Sequence, residues 1–250
     1  MTNTSKKLTV SLLMPTLNEV DGMREIMPLI KKEWCDQIVV SDGGSTDGTL
    51  EYAKEHGYDI VMQDRPGLIN ALRDGFKKCT GDIIITFSPD GNSLPSCIPA
   101  LIERISQGYD LVIVSRYRDG AVSEDDSWFT RFGNWMFTTM INFCFRGGYS
   151  DTLVIFRAYR RQTVIDLHLL TDFECSPEKN FPKFAGWDVL SSIRAAKKRL
   201  NVSEVPGTEP KRIGGETKCM RFRNGLMILA EIFYELVFWK IPPDRTVDAS

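Results

Sequence analysis

The chain has 250 residues, of which 42% are hydrophobic and 26% charged, and it carries a formal net charge of −2. This is the balance of an ordinary globular protein, long enough for one substantial buried core plus an appendage. A net charge so close to zero excludes a chain-wide footprint for nucleic acid, so an anionic ligand must be met by locally placed cations, backbone amides or metal.

From Thr9 to Met14 the residues read as a buried strand, and Glu19 to Lys32 as a helix with Met23, Ile26, Met27 and Ile30 on one side. A strand at Gln37 to Val40 runs into a turn rich in Gly and Asp, Ser41 to Gly48, before a helix at Thr49 to His56. Then follow a strand at Asp59 to Met62, a helix at Leu68 to Cys79, a strong strand at Asp82 to Phe87, a helix from Pro95 to Ser106, and a strand at Asp110 to Ser115. Such alternation predicts a mostly parallel sheet covered on both faces, with ligands at the carboxyl ends of its strands.

The second half is less regular. It reads as an aromatic-rich helix at Trp128 to Phe145, a strand near Thr152 to Ala158, a helix at Asp188 to Lys198 and a strand near Val202 to Val205. A loop from Glu209 to Lys218 leads to a last helix, Leu226 to Trp239, where Glu231 and Glu235 share one face. At 14 residues with two acids it is too short and too charged to span a bilayer. The expected organisation is a catalytic domain over residues 1–218 and an amphipathic helix and tail over 219–250. The helix would meet a membrane surface or a dimer partner.

Six cysteines, at 35, 79, 97, 144, 175 and 219, form no close pairs, so they read as free thiols in a reducing compartment rather than as a zinc or redox motif. No apolar signal region lies in the polar run from Met1 to Lys7, which predicts a cytoplasmic location with room for peripheral contact at the inner face of the membrane.

Two turns carry the first chemical pattern: Met14-Pro15-Thr16-Leu17-Asn18-Glu19 after the first strand, and Val40-Ser41-Asp42-Gly43-Gly44-Ser45-Thr46-Asp47-Gly48 after the second. Together they resemble family 2 glycosyltransferases, whose fold is GT-A, a Rossmann-like α/β arrangement that takes nucleoside-diphosphate sugars. That resemblance implies that Pro15, Leu17 and Glu19 border the nucleoside and that Asp42 accepts a hydrogen bond from the base; Leu17 stands where the family usually has a Tyr. Arg65-Pro66-Gly67-Leu68 and the residues after it resemble the segment in which Gly67 lets a helix start close to the donor, a placement suited to phosphate.

Phe87-Ser88-Pro89-Asp90-Gly91-Asn92 ends the strongest strand, where relatives of this fold hold a divalent ion with an Asp-x-Asp motif. Ser88 replaces the first Asp. In the dolichyl-phosphate mannose synthase-like branch, which uses polyprenyl phosphate, a Gln two residues beyond the second Asp also reaches the metal. The resemblance therefore implies Asp90 and Asn92 as ligands of Mg²⁺ or Mn²⁺. Ser115-Arg116-Tyr117 matches the same branch, and it implies Arg116 and Arg131 at the acceptor phosphate, a task suited to planar, always-charged guanidinium groups. By the same likeness Asp188 is the base that deprotonates a hydroxyl acceptor, and Arg212 and Lys218 are the cations that close over the departing diphosphate.

Each motif alone also has a plainer reading. Asn18, Asp42 and Asp188 suit turn or helix caps, and Arg116 suits a surface ion pair. The expectation is an inverting transferase that moves a sugar from a nucleoside diphosphate to a polyprenyl-phosphate or glycan acceptor. Two rivals remain: a sugar-nucleotide-binding module that has lost catalysis, which Ser88 favours, and a sugar nucleotidyltransferase, which would want basic residues in the first turn.

Overall fold

The computed structural model describes residues 7–171, 176–177, 186–213 and 221–240. Seven strands form one sheet in the order β3-β2-β1-β4-β6-β5-β7. They are β1 (Val10–Thr16), β2 (Gln37–Asp42), β3 (Asp59–Met62), β4 (Ile83–Thr86), β5 (Leu111–Ser115), β6 (Arg157–Arg160) and β7 (Val202–Pro206). All run parallel except β6, which lies antiparallel between β4 and β5. The central strands are near-continuous apolar runs because both faces are covered: Leu12, Leu13, Met14, Ile83, Ile84 and Ile85 have no exposed surface.

The covering helices are α1 (Val20–Ile26), α2 (Thr49–Glu55), α3 (Leu68–Lys78), α4 (Ile98–Ser106), α5 (Trp128–Phe145), α6 (Arg161–Asp166), α7 (Trp187–Lys198) and α8 (Arg221–Val237). Three segments depart from the sequence reading. The first helix ends at Ile26 and passes into a 3₁₀ turn at Met27–Leu29, because Pro28 has no N–H to continue an α-helical ladder. The strand expected from Thr152 begins only at Arg157, and the short α6 follows it directly. The last helix begins five residues earlier than its apolar run, at Arg221 rather than Leu226.

In the second half, α5, α7 and α8 pack on one another. Arg194 of α7 and Glu235 of α8 form an ion pair at 2.8 Å in which neither side chain is exposed. The Arg194 guanidinium also donates to the His168 carbonyl at 2.9 Å and stacks on Trp239 with 4.7 Å to the ring centre. Glu231 accepts from the backbone amide of Gly186 at 3.0 Å, just ahead of α7. Glu231 and Glu235 do share a face, and it is the inward one: both are fully buried. The four described cysteines, Cys35, Cys79, Cys97 and Cys144, are free thiols; Cys175 and Cys219 lie outside the described residues.

Candidate active site

The loops that leave β1 and β2 at their carboxyl ends are bonded into one unit. Gly43 N donates to the Thr16 carbonyl at 2.9 Å, Asn18 N to Ser45 Oγ at 2.8 Å, and Thr46 N back to Asn18 Oδ1 at 2.8 Å. Glu19 N donates to Thr49 Oγ1 at 2.9 Å and Val20 N to Asp47 Oδ2 at 3.1 Å. Asn18 holds this junction in the left-handed region, φ 54°, which its short polar side chain tolerates better than most. The turn residues thus serve as turn residues first, and the surface they create is rigid.

Asp42 sits inside that unit, fully buried. One carboxylate oxygen accepts from Gly44 N at 2.8 Å and Ser45 N at 2.7 Å; the other accepts from Thr16 Oγ1 at 2.8 Å and Ser45 Oγ at 2.6 Å. Four bonds match a carboxylate's usual acceptor capacity, so contact with a base requires one of them to be given up. Leu17 projects into solvent, and its Cδ1 and the Gln63 amide flank Gly43. Pro15 lies in β1 beyond its last pairing with β4, opposite Ser41 of β2.

Asp90 follows β4 and is 3% exposed. Its Oδ1 accepts from Asn92 N at 3.0 Å, and its Oδ2 meets Arg212 Nη2 at 2.6 Å. Arg212 also reaches Glu19, with Nη1 at 3.6 Å from Oε1, so one guanidinium spans the carboxylates of the β1 and β4 loops. Backbone contacts fix this approach. Ile213 N donates to the Asp90 carbonyl at 2.7 Å, and Gly91 at φ 91° leaves no room for a side chain, since a Cβ there would lie 2.7 Å from Ile213 Cγ1. On the opposite side Gly22 lets α1 press on the same loop; a Cβ on it would come within 2.3 Å of the Pro89 carbonyl oxygen.

Asn92 donates through Nδ2 to Asp125 at 3.2 Å, while its Oδ1 is buried without a hydrogen-bond partner among the described residues. A buried amide oxygen left unsatisfied costs about 1–3 kcal/mol. Placed two residues from the Asp90 carboxylate, it offers the hard oxygen donor that Mg²⁺ or Mn²⁺ prefers. The residues present therefore fit a divalent ion. No cluster of three or more His, Cys, Asp or Glu is arranged for a metal among the described residues, so the rest of such an ion's shell falls to ligand oxygens and water.

Gly67 caps the start of α3. Close by, Asn70 is 2% exposed and donates to the Pro66 carbonyl at 3.0 Å, while its Oδ1 is buried without a partner among the described residues. Farther along α3, Arg73 ties the helix to the segment after α6 by donating to the carbonyls of Leu169 at 2.7 Å and Thr171 at 3.1 Å.

Beyond β5, Arg116 is gripped by two acids. Its Nε and Nη2 donate to the two oxygens of Asp151 at 2.7 and 3.0 Å, and its Nη1 meets Glu209 at 3.2 Å. Burial pushes the Glu209 carboxyl up, with Arg116 as the chief opposing influence. Ser123 donates to Glu209, and Arg131 Nη2 reaches the Ser123 carbonyl at 3.5 Å, so Arg116 and Arg131 are linked through one polar chain.

Asp188 lies in the first turn of α7, and its carboxyl is raised above the usual carboxylate range by burial and, more weakly, by Asp151, while Arg157 pulls it down. Arg157, fully buried in β6, was not foreseen as a site residue. It donates to the carbonyls of Asp188 at 2.9 Å, Val154 at 2.7 Å and Thr152 at 2.8 Å, and to Ser191 and Ser192 at 3.0 and 2.8 Å. The only sign of it in the sequence is a lone cation in the run Phe156-Arg157-Ala158-Tyr159. Lys218 lies outside the described residues.

The model for "Glycosyl transferase family 2" matches residues 11–167. Glycosyltransferase AglJ of Haloferax volcanii is 27% identical over 90% of this chain and 71% of its own length. The undecaprenyl-phosphate 4-deoxy-4-formamido-L-arabinose transferase of Edwardsiella ictaluri is 28% identical over 91% of this chain and 66% of its own length, so the chain spans about two thirds of that relative. Among solved structures, glucosyl-3-phosphoglycerate synthase of Mycobacterium tuberculosis in complex with Mn²⁺, UDP and phosphoglyceric acid superposes with a TM-score of 0.65 at 20% identity, over 93% of this chain and 80% of that one. That likeness shows the GT-A architecture expected from the motifs. With the family model matching more than half of its length, the chain belongs to glycosyl transferase family 2.

Proposed function

We propose that this protein is an inverting glycosyltransferase that moves a sugar from a nucleoside-diphosphate donor to a polyprenyl phosphate, with Mg²⁺ or Mn²⁺ bound by Asp90 and Asn92. The observation that carries the reading is the Asp90 carboxylate after β4 followed, two residues on, by an Asn92 Oδ1 that is buried without a hydrogen-bond partner among the described residues. The acceptor class is supported by the relative named as an undecaprenyl-phosphate transferase, and the metal by the Mn²⁺ and UDP bound in the mycobacterial synthase. Residues 1–218 would form the catalytic domain, working at the inner face of the cytoplasmic membrane.

In this mechanism Pro15, Leu17, Glu19 and Asp42 border the nucleoside, and Gly67 lets the start of α3 approach the phosphates. The ion would neutralise the diphosphate as it leaves. Arg212 exchanges its contact with Asp90 for the departing phosphate oxygens, and Lys218 closes with it. Arg116 and Arg131 orient the acceptor phosphate for attack opposite the leaving group, so most of the acceleration comes from positioning and charge. A phosphate acceptor is already an anion and needs no base. A hydroxyl acceptor does, and the raised Asp188 carboxyl favours that second reading.

Full-length protein incubated with Mn²⁺, a panel of UDP, GDP, CMP and dTDP sugars and either undecaprenyl phosphate or a glycan tests both readings. The expected result is a lipid product heavier by one sugar, lost in Asp90→Ala and retained in Asp188→Asn. If the product is instead a glycan and Asp188→Asn costs about 100-fold or more in rate, the acceptor is a hydroxyl. Turnover by Asp90→Ala equal to wild type would refute the metal assignment.

A further inference from the structure

Helix α5 is amphipathic in an unusual sense. Phe137, Ile141 and Phe145 face the core, yet Trp128, Phe129, Phe132, Trp135 and Phe143 stand exposed, with Trp128 at 80% and Phe143 at 87%. Helix α8, packed against it, is turned inside out. Its acids Glu231 and Glu235 are buried, while Leu226, Leu229, Phe233 and Leu236, at spacings of three and four, face solvent. The orientation of α8 is held by specific bonds: Glu235 to Arg194, Glu231 to Gly186 N, and Lys197 Nζ to the Trp239 carbonyl at 2.7 Å.

Within the two helices the exposed charges are all cationic, although Glu124 and Asp125, just ahead of α5, are exposed acids. Arg131 and Arg146 on and just after α5, and Arg223 and Lys240 on and just after α8, are exposed; neither helix exposes an acid, because α5 contains none and α8 buries both of its own. An apolar stripe with exposed tryptophans and cations along both helices, with acids only ahead of α5, complements an anionic lipid surface. A second copy pairing helix to helix would instead bring the like charges of Arg131 and Arg223 together. No helix among the described residues is long and apolar enough to cross a membrane, so such a surface lies on the bilayer rather than through it. The stripe also begins beside the candidate acceptor residues, since Arg131 sits one turn into α5 and is tied to Ser123.

We propose that the outward faces of α5 and α8 form one docking surface for an anionic lipid bilayer. It gives the lipid acceptor of the proposed function a route from membrane to Arg131 and Arg116, and rests on that reading for its purpose, though docking itself requires no transfer. The inward acids are then what make α8 a membrane helix: they bind its polar face to α7 and leave its apolar face for lipid.

The test is co-sedimentation of the full chain with vesicles of phosphatidylcholine containing phosphatidylglycerol, beside vesicles of phosphatidylcholine alone. The wild type is expected to sediment with the anionic vesicles. Arg146→Gln/Arg223→Gln/Lys240→Gln should weaken that binding by about tenfold or more, and Phe143→Ser/Phe233→Ser/Leu236→Ser should abolish it, both with Tm unchanged. Three results would overturn the proposal: no sedimentation of the wild type, equal binding to both vesicle types, or a solution dimer in ultracentrifugation that the Phe variant dissociates. Docking without sugar transfer would leave the surface standing and sink only the lipid-acceptor reading.

Discussion

Arg212→Ala gives the sharpest test of the metal site, because it acts in opposite directions on the free and the metal-bound protein. Arg212 Nη2 lies 2.6 Å from Asp90, with side-chain exposures of 22% and 4%. At an effective dielectric near 20 the gross attraction is about 4 kcal/mol or somewhat more, and desolvation offsets most of it. A net of about 1–2 kcal/mol remains, which is the amount a metal must overcome to displace the guanidinium. Removing it should tighten Mn²⁺ binding in the absence of nucleotide by about 5- to 30-fold, at about 1.4 kcal/mol per decade. The same change leaves Asp90 buried without its cation, so the metal-free variant should melt about 2–8 °C lower, and saturating Mn²⁺ should recover the loss. The assay is Mn²⁺ titration by electron paramagnetic resonance together with thermal melts. Unchanged or weaker Mn²⁺ affinity in Arg212→Ala would refute the view that Arg212 occupies the cation's place.

Three further outcomes follow from the geometry. Arg157→Met takes the side-chain donor from two buried carbonyls, those of Thr152 and Val154, while the Asp188 carbonyl keeps the Ser191 and Ser192 hydroxyls; it should destabilise the fold by about 3–5 kcal/mol in urea melts, and a loss below about 1 kcal/mol would mean that water replaces it. Gly22→Ala drives a methyl into the Pro89 carbonyl, and should weaken Mn²⁺ binding as well as stability, whereas a purely local cost would leave metal affinity intact. Asp188 has its carboxyl raised in the fold, so its contribution to stability is fully present below the unfolded value and lost as pH rises through the folded one. Asp188→Asn should therefore be more stable than wild type at pH 7, with the difference shrinking toward pH 3 in denaturant melts; a variant less stable at pH 7 would contradict this.

The strands and their order of appearance were legible because a parallel sheet buried on both faces writes itself as apolar runs, as in Ile83 to Ile85 and Leu111 to Val114. Residues 152–156 were misread for the same reason. They are mostly apolar and largely buried, but the carbonyls of Thr152 and Val154 are met by Arg157 and that of Ile155 by Thr86 Oγ1 at 2.5 Å, so that among these residues a strand amide reaches the Phe156 carbonyl alone, from Val114 at 3.0 Å. Periodicity cannot tell a buried loop from a strand when a side chain supplies the bonds. Within the site, local motifs marked the positions near β1, β2 and β4. The grip of Asp151 and Glu209 on Arg116 joins residues 35 and 93 apart in sequence, and no local pattern encodes such a pairing.

The antiparallel strand β6 has a consequence for synthesis. β4 and β5 are not paired with each other; each pairs with β6, which is made after both. Until residues 157–160 leave the ribosome, the Ile83–Thr86 edge has no partner on that side and β5 has no route into the sheet. A nascent chain halted before that point carries four parallel strands with an open apolar edge, a form prone to pair with other chains. Four residues of β6 thus join β4 to β5, and their emergence marks the moment at which the two halves of the sheet become one, with the outer edge of β5 left for β7 to cover.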